Sequence, residues 1–395
     1  MTPLQDFPNF LACNLFHPSS CVMVDEPDDE METAFDLILK ANKGNRQKLM
    51  EGDIAVKFSR SAIFCAANPC YWPQSSDGIV RIPYAISSDF EQWHRDLIQE
   101  AMTEFETLTC INFVERKEEN DYLNIVPGYG CSSFPGKIGG AQTIFLSKTH
   151  CMWKGVVEHE LEHALGLIHE HSRSDRDKYV KIMWQYISPN HRKNFELNPN
   201  SNNLGLEYDY ASIMHYGRRT LSNTSGEATI IPIPDDSIRI GQFSGISNLD
   251  VAKINRLHNC SRCSSVLVAS NGSLTSANYP SKYPNGVNCL WLIRIQGPSY
   301  RKVQLKFEVF DLQSSKDCTA DYVKVYDGIS KSDKMLLDKT CGAKVPPSVI
   351  SSKSTMLVEF VSDHRIAGIG FKASYTTGIS EHQNILIKQS PFRSR

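Results

Sequence analysis

The chain has 395 residues, of which 41% are hydrophobic and 22% are charged, and its formal net charge is −2. A single core rarely grows beyond roughly 250–300 residues, so we expect two or more domains. The balanced charge argues against a nucleic-acid partner, and no membrane span is predicted, because no run approaches about 18 apolar residues.

The first 260 residues predict a mixture of helices and strands, after an irregular, acidic leader over 1–30. Apolar residues recur with helical spacing in some segments and alternate as in strands in others. Ser88-Asp89 is a cap signal before the second helix, and Gly166 is suited to end the third. Helices are predicted over 31–44, 87–109 and 155–166, strands over 79–86, 111–116, 122–128 and 141–147, and a turn and strand within 48–65.

The composition changes at Cys260. From Cys263 onward short alternating strands are separated by turn residues, which is the pattern of an all-β sandwich. Residues 378–395 are predicted to be a frayed basic tail. The strands of this second region are predicted over 288–296, 302–310, 321–328, 355–362 and 370–375.

Twelve dispersed cysteines indicate disulfides formed in an oxidising compartment. A cysteine-bound zinc site would need two C-x-x-C pairs, and this spacing occurs once, at Cys260 and Cys263. Three glycosylation sequons, at Asn223, Asn259 and Asn271, agree with secretion. The first twenty residues lack a basic region and an apolar run, so they do not read as a signal peptide. We therefore expect the natural start to lie upstream of Met1.

The segment HELEHALGLIHEH, residues 159–171, carries the chemistry of the chain. His159 and His163 are four residues apart and share a helix face. Gly166 ends the helix, so that His169 can approach from another direction. Three imidazoles with a fourth position open are typical of one catalytic zinc ion, and Glu160 beside them is the expected general base. The alternative, a helix with incidental surface histidines, does not account for the third histidine and the glycine.

The pattern H-E-x-x-H-x-x-G-x-x-H, with SIMHYG at 212–217, resembles the astacin subgroup of the metzincin peptidases over residues 35 to 260. The resemblance implies an α+β catalytic domain with five strands, long helices and zinc in a cleft between two subdomains. Met214 would be a hydrophobic floor beneath the zinc, and Tyr216 a switchable ligand that stabilises the oxyanion. Glu170 would pair with the mature N-terminus, although it could also be a solvated charge beside the site.

The segment MEGDIAV, residues 50–56, resembles the astacin pro-segment, in which Asp53 would bind the zinc and keep the zymogen latent. Without the resemblance, Gly52-Asp53 would be read as a turn. Cleavage after Arg60 by a trypsin-like protease would release a mature chain that begins at Ser61. This divides the first part of the chain into a leader and pro-segment, 1–60, and a catalytic domain, 61–260.

Residues 263–376 resemble a CUB domain, followed by a flexible tail over 377–395. Many CUB domains bind calcium through one Glu and two Asp; Asp321 and Asp363 match, but Gln313 stands where the Glu is expected. A weakened calcium site and a calcium-free sandwich therefore both remain open. The disulfides implied by these resemblances are Cys110–Cys260, Cys131–Cys151, Cys65–Cys70, Cys263–Cys289 and Cys318–Cys341, with Cys13 and Cys21 left over.

The cysteine pair Cys65/Cys70 and the segment 68–90 resemble the hatching-enzyme branch of the astacins. This implies a secreted zymogen, or one stored in secretory or cortical granules, that cleaves egg-envelope or other extracellular glycoproteins, with protein contacts made by the CUB domain. Phe243 stands where several astacins carry Arg, which weakens an expected preference for acidic substrates unless Arg218-Arg219 compensates. The alternatives are a matrix or growth-factor processing protease and an inactive CUB-containing binding protein.

Overall fold

The computed structural model describes residues 32–56, 70–199, 201–295 and 301–379. No helix among these residues is long and apolar enough to cross a membrane. Within the described ranges, the region before Cys260, expected from the sequence to be catalytic, contains one five-stranded sheet, four α-helices and two small two-stranded sheets. The described part after Cys263 contains two β-sheets.

The five-stranded sheet of the catalytic region has the order β4-β3-β5-β7-β6. The first four strands are parallel, and β6 pairs antiparallel with β7 at the edge that faces the candidate site. Val80 and Ile82 of β3 are fully buried while Arg81 between them is exposed, so the first part of this strand is covered on one face. The strands are β3 (Val80–Ile86), β4 (Ile111–Glu115), β5 (Tyr122–Val126), β6 (Cys131–Ser132) and β7 (Ala141–Leu146).

The helices of this region are α1 (Ala34–Asn42), α2 (Gln92–Leu108), α3 (Lys154–Leu165) and α4 (Asn248–Leu257). The prediction for the cap of α2 was wrong: Glu91 is the N-cap, because its backbone N–H reaches the ring of His94. The predicted stop of α3 at Gly166 is confirmed by a left-handed φ of 105°. Helix α4 was missed, although Ser247 and Asp250 form a capping box that the sequence displays.

Residues 49–55 form a hairpin rather than the turn and single strand that were predicted. Its strands are β1 (Leu49–Met50) and β2 (Ile54–Ala55), and they pair antiparallel. The backbone of the hairpin continues onto the catalytic sheet, since the N–H of Ala55 donates to the C=O of Ser133 at 2.8 Å. A further pair, β8 (Val180–Ile182) with β9 (Ile230–Pro232), lies on the C-terminal side of α3 in sequence.

The region after Cys263 is a sandwich of two sheets, with the orders β10-β12-β17-β14-β15 and β11-β18-β13-β16. The predicted all-β architecture is therefore confirmed, and its core contains Phe307, Phe360 and Phe371 between the sheets. The sandwich strands are β10 (Cys263–Leu267), β11 (Asn271–Thr275), β12 (Asn288–Arg294), β13 (Arg301–Asp311), β14 (Tyr322–Tyr326), β15 (Met335–Thr340), β16 (Val349–Ile350), β17 (Thr355–Val361) and β18 (Gly370–Ile379).

Candidate metal centre and active site

Helix α3 holds the first two histidines in the interior of the domain. Its residues from Gly155 to Leu165 are all buried, which is unusual for a helix so rich in Glu and His and marks a functional site. Gly166 allows the sharp exit, since a Cβ there would lie 3.0 Å from the ring of Tyr71 and the backbone is left-handed. The chain then turns back, and His169 faces the helix.

The Nδ1 atom of each ring is held by a separate acceptor. For His159 the acceptor is the C=O of Ile213 at 3.0 Å, and for His163 it is the C=O of Leu167 at 3.0 Å. His169 is held by the carboxylate of Glu51 at 2.8 Å. Such contacts fix the tautomer and orientation of metal-binding imidazoles, so all three rings present Nε2 to one point.

Asp53 lies at that point. One of its oxygens is 2.8 Å from Nε2 of His159 and 3.5 Å from Nε2 of His163, and the other is 3.3 Å from Nε2 of His169. The four ligand atoms lie within 4.8 Å of one another. Nε2 of His163 and one oxygen of Asp53 are buried with no hydrogen-bond partner among the described residues. Three imidazoles and a carboxylate are a donor set that fits zinc.

The charges around Asp53 also favour a cation. Burial alone would raise the pKa of Asp53, yet the rings of His169 and His163 hold it well below its ordinary value. Burial would lower the pKa of His169, but Asp53 and Glu51 raise it to about 9. The cluster therefore stabilises positive charge next to the carboxylate, which a divalent ion would supply.

Glu160 is completely buried beside the cluster, and both of its oxygens lack a hydrogen-bond partner among the described residues. Burial, with a contribution from the charge of Asp53, raises its pKa well above the ordinary value. A carboxyl group with a raised pKa next to a metal site is what proton transfer near neutral pH requires.

Tyr216 is fully buried and its phenol donates to the C=O of Glu51 at 2.5 Å. Its ring stacks on Phe35 with 3.9 Å between centroids, and the ring of His171 lies tilted against it at 3.7 Å. The sequence reasoning missed Glu51 and Phe35, since both act on residues more than 100 positions away.

Met214 is buried next to Ile213, whose carbonyl holds His159, and its own C=O accepts from the N–H of Glu170 at 3.0 Å.

Glu170 is buried and already has three donors. Lys253 donates to it at 2.7 Å, Arg173 at 3.1 Å, and the N–H of Asp209 at 2.7 Å. A cavity of about 410 Å³ adjoins this group and is also lined by Cys70 and Met214. The solvated-charge interpretation of Glu170 is therefore wrong, because only 2% of the residue is exposed.

The described residues contain four complete disulfides, which are the pairs implied by the two resemblances: Cys110–Cys260, Cys131–Cys151, Cys263–Cys289 and Cys318–Cys341. Cys70 is also disulfide-bonded. The proposed cleavage site Arg60-Ser61, the predicted partner Cys65, and Cys13 and Cys21 lie outside the described residues.

The acidic residues of the sandwich are paired with protein donors. Asp321 is fully buried; one oxygen accepts from the N–H of Asp363 at 2.7 Å and the other from the phenol of Tyr283 at 2.5 Å. The amide nitrogen of Gln313 donates to Asp363 at 3.3 Å and to the C=O of Ile366 at 2.9 Å. Gln313 thus stands where a third carboxylate was expected, and the two carboxylates that remain also accept hydrogen bonds from protein donors. Whether this weakened site binds calcium stays a prediction.

Arg218 and Phe243 give no support for recognition of an acidic substrate. The guanidinium of Arg218 donates to the backbone carbonyls of Asp236 and Ile238, and Phe243 packs against the core of the catalytic domain. Arg219 donates to the C=O of Gly226 at 3.1 Å.

Comparisons with known proteins agree with this geometry. A model of Astacin (peptidase family M12A) matches residues 71–259, and a CUB domain model matches residues 263–375. Astacin-like metalloendopeptidase of Gallus gallus is 58% identical over 352 residues, which cover 89% of this chain and 85% of that protein. Low choriolytic enzyme of Oryzias latipes is 42% identical over 235 residues, covering 59% of this chain and 86% of that protein. The solved structure of high choriolytic enzyme 1, a hatching enzyme zinc-protease from Oryzias latipes, is 44% identical, covers 51% of this chain and all of that chain, and has a TM-score of 0.49.

The fold and the three-histidine site define a metal-dependent peptidase of the H-E-x-x-H class. The 58% sequence identity with an astacin-like metalloendopeptidase over most of both chains identifies the family within this class. The chain belongs to the astacin family of zinc metalloendopeptidases, and it carries a C-terminal CUB domain. The predicted fold class and enzyme class are thereby confirmed.

Proposed function

We propose that the protein is a secreted endopeptidase, made as a zymogen, that hydrolyses peptide bonds of egg-envelope or other extracellular glycoproteins. The observation that carries the zymogen part is the position of Asp53 among the three Nε2 atoms, 2.8 Å from the nearest. A carboxylate in the open position of a catalytic zinc site excludes water and substrate together.

His159, His163 and His169 would hold one zinc ion, which supplies Lewis acidity to the scissile carbonyl and acidifies water in the site. Glu160 then accepts a proton from the attacking water and delivers it to the leaving amine. The phenol of Tyr216 donates to the developing oxyanion once its bond to the backbone of Glu51 is broken. Removal of the pro-segment therefore frees Tyr216 as well as the metal.

The pro-segment is held in the cleft by backbone contacts as well as by Asp53. The N–H of Ser133 donates to the C=O of Asp53 at 3.3 Å, and Ala55 donates to Ser133. Asn42 donates to the C=O of Gly52 at 2.9 Å and to the C=O of Cys131 at 2.7 Å, which connects α1, the hairpin and the sheet edge. The hairpin occupies the strand-pairing edge that an extended substrate would use.

Activation would follow cleavage between Arg60 and Ser61 by a trypsin-like protease. Cys70 lines the cavity beside Glu170 and is nine positions after Ser61, so the chain between them can span at most roughly 30 Å. The new N-terminal ammonium could therefore reach Glu170. It would have to displace Lys253, which already neutralises that carboxylate, so we expect activation to change the partner of Lys253.

Hatching is the favoured process because similar proteins of Oryzias latipes are named choriolytic enzymes, and one of them is described as a hatching enzyme. The exposed asparagines of the three sequons, Asn223, Asn259 and Asn271, are consistent with a glycosylated, secreted or granule-stored protein. A matrix or growth-factor processing role is the second candidate, since tolloid-like protein 1 of Homo sapiens is 40% identical over 303 residues, 29% of that protein.

The proposal is tested with full-length protein before and after limited trypsin treatment, with egg-envelope glycoprotein, a procollagen and casein as substrates. We expect zinc-dependent cleavage after treatment, an N-terminus at Ser61, and faster digestion of the egg envelope. Activity in a chain that is uncleaved between Arg60 and Ser61 would contradict the zymogen model. Faster processing of the procollagen would favour the second candidate.

A further inference from the structure

The CUB domain shares a core with the catalytic domain. Its side chains Val266, Leu290, Leu292, Tyr326 and Leu357 belong to the same continuous cluster of buried residues as helices α2 and α3. Backbone and side chain contacts close the edge of this interface: the N–H of Val266 donates to the side chain of Asn248 at 3.0 Å, and Ser264 donates to the C=O of Leu108 at 2.5 Å.

Arg294, the last residue of β12, inserts a charged side chain into this interface. It is 8% exposed, and its guanidinium donates to the carboxylate of Glu104 on α2 and to the C=O of Ile246 at 2.6 Å. Glu104 has no exposed surface. A buried carboxylate requires a cation, and part of this requirement is met from the other domain.

The same cluster includes the start of the zinc helix. Lys154 on α3 pairs with Glu104 and, at 2.6 Å, with Glu158, which directly precedes His159. A Cβ at Gly245 would lie 2.5 Å from a guanidinium nitrogen of Arg294 and 2.8 Å from an oxygen of Glu158. Both groups therefore flank Gly245, and the absence of a side chain there gives the arginine its place beside the helix.

We propose that Arg294 is a positioning residue for catalysis: it completes a buried cluster of two carboxylates and two cations that fixes helix α3, and with it His159, in the catalytic domain. Lys154 and Arg294 are the two cations that face the buried carboxyl groups of Glu104 and Glu158. Without Arg294, one ammonium faces both carboxyl groups, so the cluster must take up a proton, move the helix or admit water. The CUB domain is then part of the catalytic scaffold, whichever substrate is cleaved.

The first test replaces Arg294 by Met, which keeps most of the volume and removes the charge. Thermal unfolding and zinc retention against the chelator dipicolinate are measured on the full-length latent chain and need no activation. We expect the Tm to fall by roughly 6 °C or more and zinc to be lost roughly tenfold faster. After trypsin treatment, kcat on a quenched-fluorescence peptide should fall roughly tenfold with KM within about twofold, because the helix and not the substrate cleft is disturbed.

Two further variants separate charge balance from shape. Arg294→Met combined with Glu104→Gln leaves one carboxylate and one ammonium, and we expect it to recover most of the Tm and the zinc retention. Arg294→Lys keeps the charge and should recover part of both. Arg365→Met, on an exposed loop of the same domain, is the matched control and should behave as the wild type.

Equal Tm and zinc retention in Arg294→Met and Arg365→Met would overturn the proposal. A double variant no better than Arg294→Met would also overturn it, since the loss would then come from packing and not from charge. If Arg294→Met does not fold, the Tm and zinc retention of the double variant and of Arg294→Lys are compared with those of Arg365→Met. Failure of both to fold or to retain zinc would then overturn the proposal. A wild type without protease activity would refute the proposed function but would leave the zinc and unfolding tests in force.

Discussion

The cluster around Asp53 in the catalytic domain and the cluster around Asp321 in the CUB domain both contain buried carboxylates, but they differ in hydrogen bonding. Around Asp53, one carboxylate oxygen, Nε2 of His163 and both oxygens of Glu160 lack partners among the described residues. Around Asp321, each oxygen accepts a hydrogen bond from Tyr283 or from the backbone of Asp363.

An unpaired buried polar atom costs roughly 1–3 kcal/mol, so a group of them persists where something binds there. The first cluster meets this condition, whereas in the second the carboxylates of Asp321 and Asp363 accept hydrogen bonds from protein donors. The difference predicts that the first cluster binds a metal ion, because its free ligand atoms converge on one point. Free oxygens alone do not mark such a site, since those of Glu158 and Glu162 also lack hydrogen-bond partners among the described residues.

The largest expected effect is on the chemistry of the first cluster. Glu160→Gln keeps the shape of the side chain but removes the proton acceptor, so kcat should fall by roughly 10²–10⁴ while zinc content stays at one per chain. Peptide hydrolysis and metal analysis of the trypsin-treated protein measure both. Glu162→Gln is the matched control, because Glu162 is equally buried on the same helix. Turnover within tenfold of the wild type in Glu160→Gln would refute its role as the base.

The next effect concerns latency. Asp53→Asn keeps the size of the side chain but removes the charge that holds it among the imidazoles, so the uncleaved chain should gain activity, by at least about tenfold over the wild-type zymogen. The measurement uses an Arg60→Ala background, which blocks the proposed cleavage. Asp89→Asn, at an exposed position, should remain latent. A silent Asp53→Asn chain that still binds zinc would assign latency to the hairpin alone.

The sequence predicted those parts of the site that depend on local spacing. His159, His163 and Gly166 follow from the helix period, and four strands of the sheet follow from the residue pattern, whereas the fifth strand, β6, was implied only by the resemblance. It could not predict Glu51 on His169, because that contact joins residues 118 positions apart. The same holds for Arg294, which reads as an ordinary strand residue until the two domains pack together. Helix α4 was within reach, since Ser247-x-x-Asp250 is a visible capping box.

Metal removal sharpens the comparison between the two clusters. Zinc at a thousandfold excess over its Kd stabilises the folded chain by about 4 kcal/mol, which corresponds to a Tm shift of roughly 8–16 °C for domains of this size. We expect this loss of Tm with a zinc-selective chelator and its recovery on adding zinc. A calcium-selective chelator should leave the Tm of the same sample unchanged. A fall with the calcium chelator would show that the CUB cluster binds calcium after all.

The smallest expected effect is a calcium-dependent change in Tm when the cluster around Asp321 is given a third carboxylate. Gln313→Glu removes the amide nitrogen that donates to Asp363 and Ile366 and places a third carboxylate beside Asp321. Without calcium the three acidic groups repel one another, so the Tm should fall.

With calcium at about ten times its Kd, the Tm of the Gln313→Glu variant should rise again by roughly 4 °C. Three carboxylates and the released carbonyl of Ile366 are a suitable set of oxygen ligands. Gln304→Glu, on the exposed side of β13, controls for the added charge and should show no response to calcium. A Gln313→Glu variant that ignores calcium would mean that the hydrogen bonds from Tyr283 and Asp363, and not the amide of Gln313, keep the ion out.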